Sequence, residues 1–171
     1  MAKNWMIGAG LAFALAACAG NSGGSANSTA NATAHVGQAA PDWTDPLVRG
    51  SGSLTMAQLR GKPVFMDFFA TWCPPCNAEA PMVNAAYKQY AQQGLQVIGV
   101  DVQENAQKAK QFVDQHQLTY PAVVDSGTLS DQYRINGMPV GVFIDKSGVV
   151  RKIVVGQLSP EQLNADIKSI L

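Results

Sequence analysis

The chain has 171 residues, of which 47% are hydrophobic and 14% charged, so it is long enough for one ordinary globular core and too short for two comfortable domains. Its 12 Lys and Arg residues balance its 12 Asp and Glu residues, and the sequence contains no basic tract. This balance argues against a nucleic-acid partner and against electrostatic attraction to an anionic membrane.

The first segment has the features of an export signal. Lys3 precedes an apolar stretch over residues 5–17, which is too short to span a bilayer comfortably and ends in small residues. Its end, Leu15-Ala16-Ala17-Cys18, resembles the lipobox of bacterial lipoproteins, in which the cysteine is lipidated and becomes the mature N-terminus. We therefore predict a lipoprotein signal peptide over residues 1–17 and lipidation of Cys18. An ordinary secretory signal with an incidental cysteine is the alternative.

Residues 18–35 are predicted to form the lipidated cysteine and a flexible tether. Residues 19–34 consist of Gly, Ser, Asn, Thr and Ala and include no large apolar side chain. Such a segment cannot bury enough surface to fold. The folded domain is therefore expected over residues 36–171.

Strand and helix patterns alternate from residue 36 onward, which favours an α/β protein with a central sheet flanked by helices. Residues 36–55 are predicted to form an irregular arm with a short hairpin around residues 49–52. Five strands and three helices are predicted after it. The strands are residues 64–70, 95–102, 122–125, 140–145 and 149–155, and the helices are residues 74–92, 106–116 and 160–171.

The motif Trp72-Cys73-Pro74-Pro75-Cys76 carries the clearest chemistry, because two thiols separated by two residues can close a small disulfide and reopen it. Cys73 would lie at the N-terminus of the predicted helix, where the macrodipole favours an anion and lowers the pKa of the thiol. We therefore predict that Cys73 is the nucleophile and that Cys76, one turn further along, is the resolving thiol.

A CxxC motif can also be half of a zinc site or a structural staple. Zinc needs about four ligands, and the other cysteine and histidine residues of the chain are Cys18, His35 and His116. No metal or other cofactor is therefore expected beyond the redox-active disulfide. His116, near the end of the second predicted helix, is expected to cap carbonyl groups or face solvent rather than act in catalysis.

The two prolines of the motif bear on the direction of electron flow. Neither Pro74 nor Pro75 has an N–H group to offer the Cys73 thiolate, so the first available amide belongs to Cys76. Strongly oxidising CxxC proteins stabilise the reduced thiolate with additional hydrogen-bond donors or with a charge between the cysteines. In this sequence nothing polar lies between the two cysteines. We predict a reducing or moderate potential.

Further motifs surround the CxxC in a fixed order along residues 36–171. They are Ala40-Pro41-Asp42-Trp43, Gly61-Lys62-Pro63, the run of residues 69–76, Glu79-Ala80-Pro81, residues 112–121 leading to Asp125, Gly137-Met138-Pro139, Ile144-Asp145 and Gly148. This set resembles the membrane-tethered thiol-disulfide oxidoreductases of the TlpA, ResA and CcmG type. The resemblance implies a thioredoxin fold, with a central mixed β-sheet flanked by helices and an N-terminal hairpin extension.

The resemblance also implies a substrate-binding surface. Pro139 matches the family's cis-proline, which faces the CxxC, and Met138 would present its backbone to a substrate peptide. Trp72 is expected beside the disulfide as a partly exposed lid, with plain core packing as the alternative. Residues 140–142, Val-Gly-Val, depart from the hydroxyl and aromatic residues usual in the family, so substrate contacts there are expected to differ.

Two carboxyl groups are the remaining candidate catalytic residues. Asp67 matches the buried aspartate of thioredoxin, which assists proton transfer for the resolving cysteine. Burial on an apolar strand would raise its pKa, although alternation alone leaves open that it points into solvent, because the run is apolar on both sides. Glu79 matches an acidic residue that tunes thiol acidity in relatives. Its alternative role is a carboxylate that merely favours the helix dipole.

Together these features predict an exported thiol-disulfide oxidoreductase that reduces disulfides of other exported proteins. Apocytochrome c and copper-site assembly are the clients typical of the family. A membrane thiol-reducing partner would be needed because the extracytoplasmic space is oxidising. The protein is expected to be a monomer held to a membrane by its N-terminal lipid. A disulfide oxidase or isomerase, a thiol peroxidase and a non-enzymatic copper-site assembly factor are the alternatives.

Overall fold

The computed structural model describes residues 33–171. The predicted signal peptide, the lipidation at Cys18 and most of the predicted tether lie outside these residues. Over the part of the chain that is described, none of the helices has the length and apolar character needed to cross a membrane.

Seven strands and five α-helices build the described domain. The strands are β1 (Thr44–Pro46), β2 (Ser53–Thr55), β3 (Val64–Phe69), β4 (Gln96–Asp101), β5 (Ala122–Val124), β6 (Val140–Ile144) and β7 (Val150–Val155). The helices are α1 (Met56–Leu59), α2 (Pro74–Tyr90), α3 (Ala106–Gln115), α4 (Thr128–Gln132) and α5 (Pro160–Ile170), with a 3₁₀ turn at Ala91–Gln93. The strands and helices predicted from residue 64 onward are confirmed, with ends that differ by one or two residues.

The main sheet has the strand order β5-β4-β3-β6-β7, so β3 lies at its centre. β4 runs parallel to β3, and β5 runs parallel to β4. β6 is antiparallel to β3, and β7 is antiparallel to β6. This mixed sheet with helices on both faces confirms the predicted thioredoxin fold.

The two faces of the sheet carry separate hydrophobic clusters. α2, α3 and α5 contribute to the cluster that includes Phe65 and Phe69, whereas α1 and α4 contribute to the cluster that includes Val64, Met66 and Phe68. Every residue of β3 is buried, because side chains that alternate along a central strand meet a packed layer on either side. This alternation places Asp67 on the face of Phe65 and Phe69, beneath α2.

The N-terminal arm contains the predicted hairpin, since β1 and β2 pair antiparallel around residues 47–52. Two one-turn helices were not predicted. Thr55 begins α1 with a capping box that it shares with Gln58. The Asp125 carboxylate accepts hydrogen bonds from the backbone amides of Leu129 and Ser130 in α4. Helices this short show no apolar periodicity, so their caps are the only sequence signal they leave.

Candidate active site

Cys73 and Cys76 form a disulfide at the start of α2. Cys73 is the N-cap residue, and its Sγ accepts a hydrogen bond from the Cys76 amide at 3.2 Å. Pro74 and Pro75 occupy the first turn, where the missing N–H groups cost no helical hydrogen bond. As the sequence predicted, Cys76 supplies the first amide that reaches Cys73. Both cysteines are only 3% exposed, so a partner can reach the sulfur atoms only from a narrow direction.

The surface beside the disulfide is formed by three separate segments of the chain. Trp72 is 65% exposed, so it is not part of the core. The Met138–Pro139 peptide bond is cis, and Met138 packs against the hydrophobic cluster that contains both cysteines. A cleft of about 170 Å³ is lined by Trp72, by Val102 and Gln103, and by residues of the 135–138 loop. This cleft could receive an extended peptide next to the redox motif.

Asp67 lies buried beneath α2 and does not point into solvent. Asp67 is 6% exposed, and burial raises the pKa of its carboxyl group from 3.8 to about 7. The nearby Tyr120 hydroxyl partly offsets this rise in the pKa of Asp67, although this hydroxyl has no hydrogen-bond partner at normal distance within the described residues. A carboxyl group with a pKa of about 7 can accept and release a proton near neutral pH.

Glu79 is the second buried carboxyl group on this face. It is 3% exposed, and its Oε2 has no hydrogen-bond partner among the described residues. Burial, and then the nearby Asp67 carboxylate, raise the pKa of Glu79 to about 8, while the Leu158 backbone amide offsets part of the rise. The burial and the contribution of Asp67 distinguish Glu79 from an exposed carboxylate that merely favours a helix dipole.

Two glycines and a tyrosine shape the surroundings of Asp67, a role that the sequence analysis did not assign to them. Gly99 on β4 and Gly141 on β6 are the residues paired with Asp67 on its two neighbouring strands. A Cβ atom on Gly99 would lie 3.3 Å from the Tyr120 ring, and one on Gly141 would lie 3.0 Å from the Phe65 ring. Both glycines therefore make room for the side chains that enclose the carboxyl group. Gly141 belongs to the segment that departs from the family pattern.

The environment of His116 differs from the prediction that its side chain caps carbonyl groups or faces solvent. Its Nε2 lies 2.9 Å from Asn77 Oδ1, and its ring packs against Phe112. Burial lowers the pKa of His116. Within residues 33–171, no three His, Cys, Asp or Glu side chains are grouped as metal ligands would be.

Comparison with known proteins agrees with this geometry. Residues 36–153 match the AhpC/TSA family. The thiol-disulfide oxidoreductase ResA of Bacillus anthracis is 33% identical over 136 residues, which cover 79% of this chain and 78% of the relative. ResA of Geobacillus thermodenitrificans is 34% identical with the same coverage. A crystal structure of a thioredoxin-family thiol:disulfide interchange protein from Chlorobium tepidum TLS superposes with a TM-score of 0.72 at 29% identity, covering 81% of this chain and 99% of that one.

The fold, the disulfide at the start of α2 and these similarities define a thioredoxin-fold thiol-disulfide oxidoreductase. The chain belongs to the AhpC/TSA family and is similar in particular to ResA thiol-disulfide oxidoreductases.

Proposed function

We propose that this protein is an exported, membrane-tethered reductase that transfers two electrons from the Cys73–Cys76 dithiol to disulfides of other exported proteins. The observation that carries the proposal is the Cys73–Cys76 disulfide at the N-terminus of α2, the helix that carries the buried Glu79 and lies over the face of β3 on which Asp67 is buried. The cleft beside Trp72 and the cis Met138–Pro139 bond support binding of an extended client segment.

The first step is attack by the Cys73 thiolate on one sulfur of the client disulfide. A bond forms between Cys73 and the client, the client disulfide breaks, and the leaving client thiolate takes a proton. The position of Cys73 at the N-terminus of α2 favours the thiolate. In this step Trp72 and the Met138 backbone would hold the client chain alongside the mixed disulfide.

The second step releases the client. Cys76 gives its proton to Asp67 or Glu79, and its thiolate attacks Cys73, forming the Cys73–Cys76 disulfide and expelling the second client thiolate. Two electrons have then passed from the protein to the client. Because the pKa values of the two carboxyl groups are about 7 and about 8, the fraction able to accept the proton rises with pH through this range. The rate of release is expected to rise with it.

The oxidised protein must then be reduced again by a thiol donor, since an extracytoplasmic environment does not supply reducing equivalents. We propose a membrane protein as this donor. The proposed lipid on Cys18 would keep the domain close to it. Attachment through a lipid and the 18–35 tether agrees with the sequence features of that segment, and apocytochrome c is a client class typical of similar proteins.

Direct assay of disulfide exchange tests the proposed function. The purified protein, reduced and freed of reductant, is mixed with a peptide that contains one disulfide, and both thiol products are counted. We expect one peptide disulfide reduced per molecule and full loss of this activity in Cys73→Ser. Rapid turnover of hydrogen peroxide without peptide reduction would instead favour a peroxidase and contradict the proposal.

A further inference from the structure

The four residues between β3 and α2, residues 70–73, connect the central strand to the active-site helix. Side chains on two sides form hydrogen bonds with this loop. On one side, the Glu104 carboxylate accepts a hydrogen bond from the Thr71 amide at 2.6 Å and another from the Thr71 hydroxyl at 2.7 Å. Glu104 lies in the loop between β4 and α3 and is 33 positions distant from Thr71 in the chain. The start of the redox loop is therefore fixed by a residue far away in sequence.

On the other side, Asn77 holds the carbonyl groups of the same loop. Its Nδ2 donates to the Thr71 carbonyl at 3.0 Å and to the Cys73 carbonyl at 2.9 Å. Its Oδ1 lies 2.9 Å from His116 Nε2, and this oxygen can only accept, so the imidazole donates an N–H. Glu104 precedes α3 and His116 follows it, so both contacts connect the redox loop to the two ends of one helix.

The negative charge of Glu104 is buried and is stabilised by neighbouring protein groups. Its side chain is 2% exposed, and Lys108 Nζ lies 3.5 Å from Oε1. Burial alone would raise the pKa of Glu104, but the hydrogen bonds from the Thr71 amide and hydroxyl, together with the Lys108 charge, bring it below its ordinary value. A buried carboxylate is costly unless its hydrogen bonds compensate it, and a neutral side chain could tie down a loop at lower cost.

We propose that Glu104 and Asn77 are positioning residues for thiol-disulfide exchange. Their hydrogen bonds hold the Thr71–Cys73 segment, so that the Cys73 sulfur stays at the N-terminus of α2 and accessible to a client. This inference rests on the proposed function. Exchange requires three sulfur atoms in line, so a loop that can shift places Cys73 in an unproductive geometry for much of the time. Glu104 also puts a negative charge close to the redox loop, which disfavours the Cys73 thiolate.

Single substitutions separate this positioning role from general stability. Thr71→Val removes only the hydroxyl donor, Thr71→Ser keeps both donors, and Glu104→Gln removes the charge and one acceptor oxygen. Asp114→Asn serves as the matched control, because Asp114 is an exposed carboxylate on α3 that pairs with Lys110 and Arg49. For each variant we would measure the rate of mixed-disulfide formation with the peptide disulfide, the pKa of Cys73 from thiolate absorbance, and the melting temperature.

We expect Thr71→Val and Glu104→Gln to slow mixed-disulfide formation by about tenfold, the effect of losing one hydrogen bond to a charged group. Glu104→Gln should also lower the pKa of Cys73. Thr71→Ser and the Asp114→Asn control should match the unaltered protein. Rates and thiol pKa values equal to the control, even with a lower melting temperature, would overturn the positioning role. An unaltered protein that fails to reduce the peptide would instead refute the proposed function itself.

Discussion

The buried carboxyl group of Asp67 makes the stability of the protein depend on pH in an unusual direction. Its pKa rises from 3.8 in the unfolded chain to about 7 in the folded protein, so the folded state binds this proton more tightly than the unfolded state does. The stabilising contribution is therefore complete at low pH and is lost as the pH rises through about 7. A rise of about three pKa units at 1.36 kcal/mol each corresponds to about 4 kcal/mol.

Asp67→Asn removes this ionisation while keeping the size of the side chain. We expect the free energy of unfolding of the variant, relative to the unaltered protein, to increase by about 4 kcal/mol between pH 4 and pH 8. Loss of the Asp67 charge also lowers the pKa of Glu79 in the folded protein, and this further increases the free energy of unfolding of the variant at high pH. Urea unfolding of the oxidised proteins, followed by tryptophan fluorescence at several pH values, measures the difference.

The control variant is Glu161→Gln, which removes an exposed carboxylate whose pKa is lowered by hydrogen bonds to the Glu161 backbone and Ser159. The free energy of unfolding of Glu161→Gln, relative to the unaltered protein, should not increase between pH 4 and pH 8. A difference between Asp67→Asn and the unaltered protein that stays constant from pH 4 to pH 8 would show that Asp67 ionises normally, and the proton-acceptor role proposed for it would fail.

Three further substitutions test other parts of the site. In Cys76→Ser, the mixed disulfide between Cys73 and a client should accumulate on non-reducing gels, and its absence would argue against Cys76 as the resolving thiol. Glu79→Gln should slow client release by up to about 10²-fold in rapid-quench experiments, because one proton acceptor is lost; an unchanged release rate would exclude that role. Gly141→Ala should lower the free energy of unfolding by about 1–3 kcal/mol, since its Cβ would press on the Phe65 ring. An unchanged urea midpoint would show that the ring moves aside freely.

Much of the fold could be predicted from the sequence because its elements carry strong local signals. The start of α2 is marked by the Cys73-Pro74-Pro75 run, and the β6–β7 hairpin is marked by the polar turn at residues 146–148. α1 and α4 could not be predicted from apolar periodicity, because one-turn helices depend on single side chains near their first residue. In α1 this is the N-cap Thr55, and in α4 it is the Asp125 carboxylate, which accepts from the Leu129 amide.

The chemistry around the disulfide was only partly predictable, because its details depend on which strands become neighbours. β3 is apolar on both faces, so the sequence alone could not decide whether Asp67 points toward α2. The pairing of Gly99 and Gly141 with Asp67 follows from the strand order and register, and neither is encoded locally. Glu104 reaches Thr71 across 33 positions of the chain, so no motif search would connect the two.

The reduction potential of the Cys73–Cys76 pair tests most directly whether the protein is a reductase. It would be measured by equilibrating the protein with glutathione or dithiothreitol buffers and following tryptophan fluorescence. Two prolines lie between the cysteines, and within residues 33–171 only the Cys76 amide donates a hydrogen bond to Cys73 Sγ. We therefore expect a value close to that of thioredoxin, about −270 mV. A value close to that of the strong oxidant DsbA, about −120 mV, would make the protein a disulfide donor and contradict the proposed direction of electron flow.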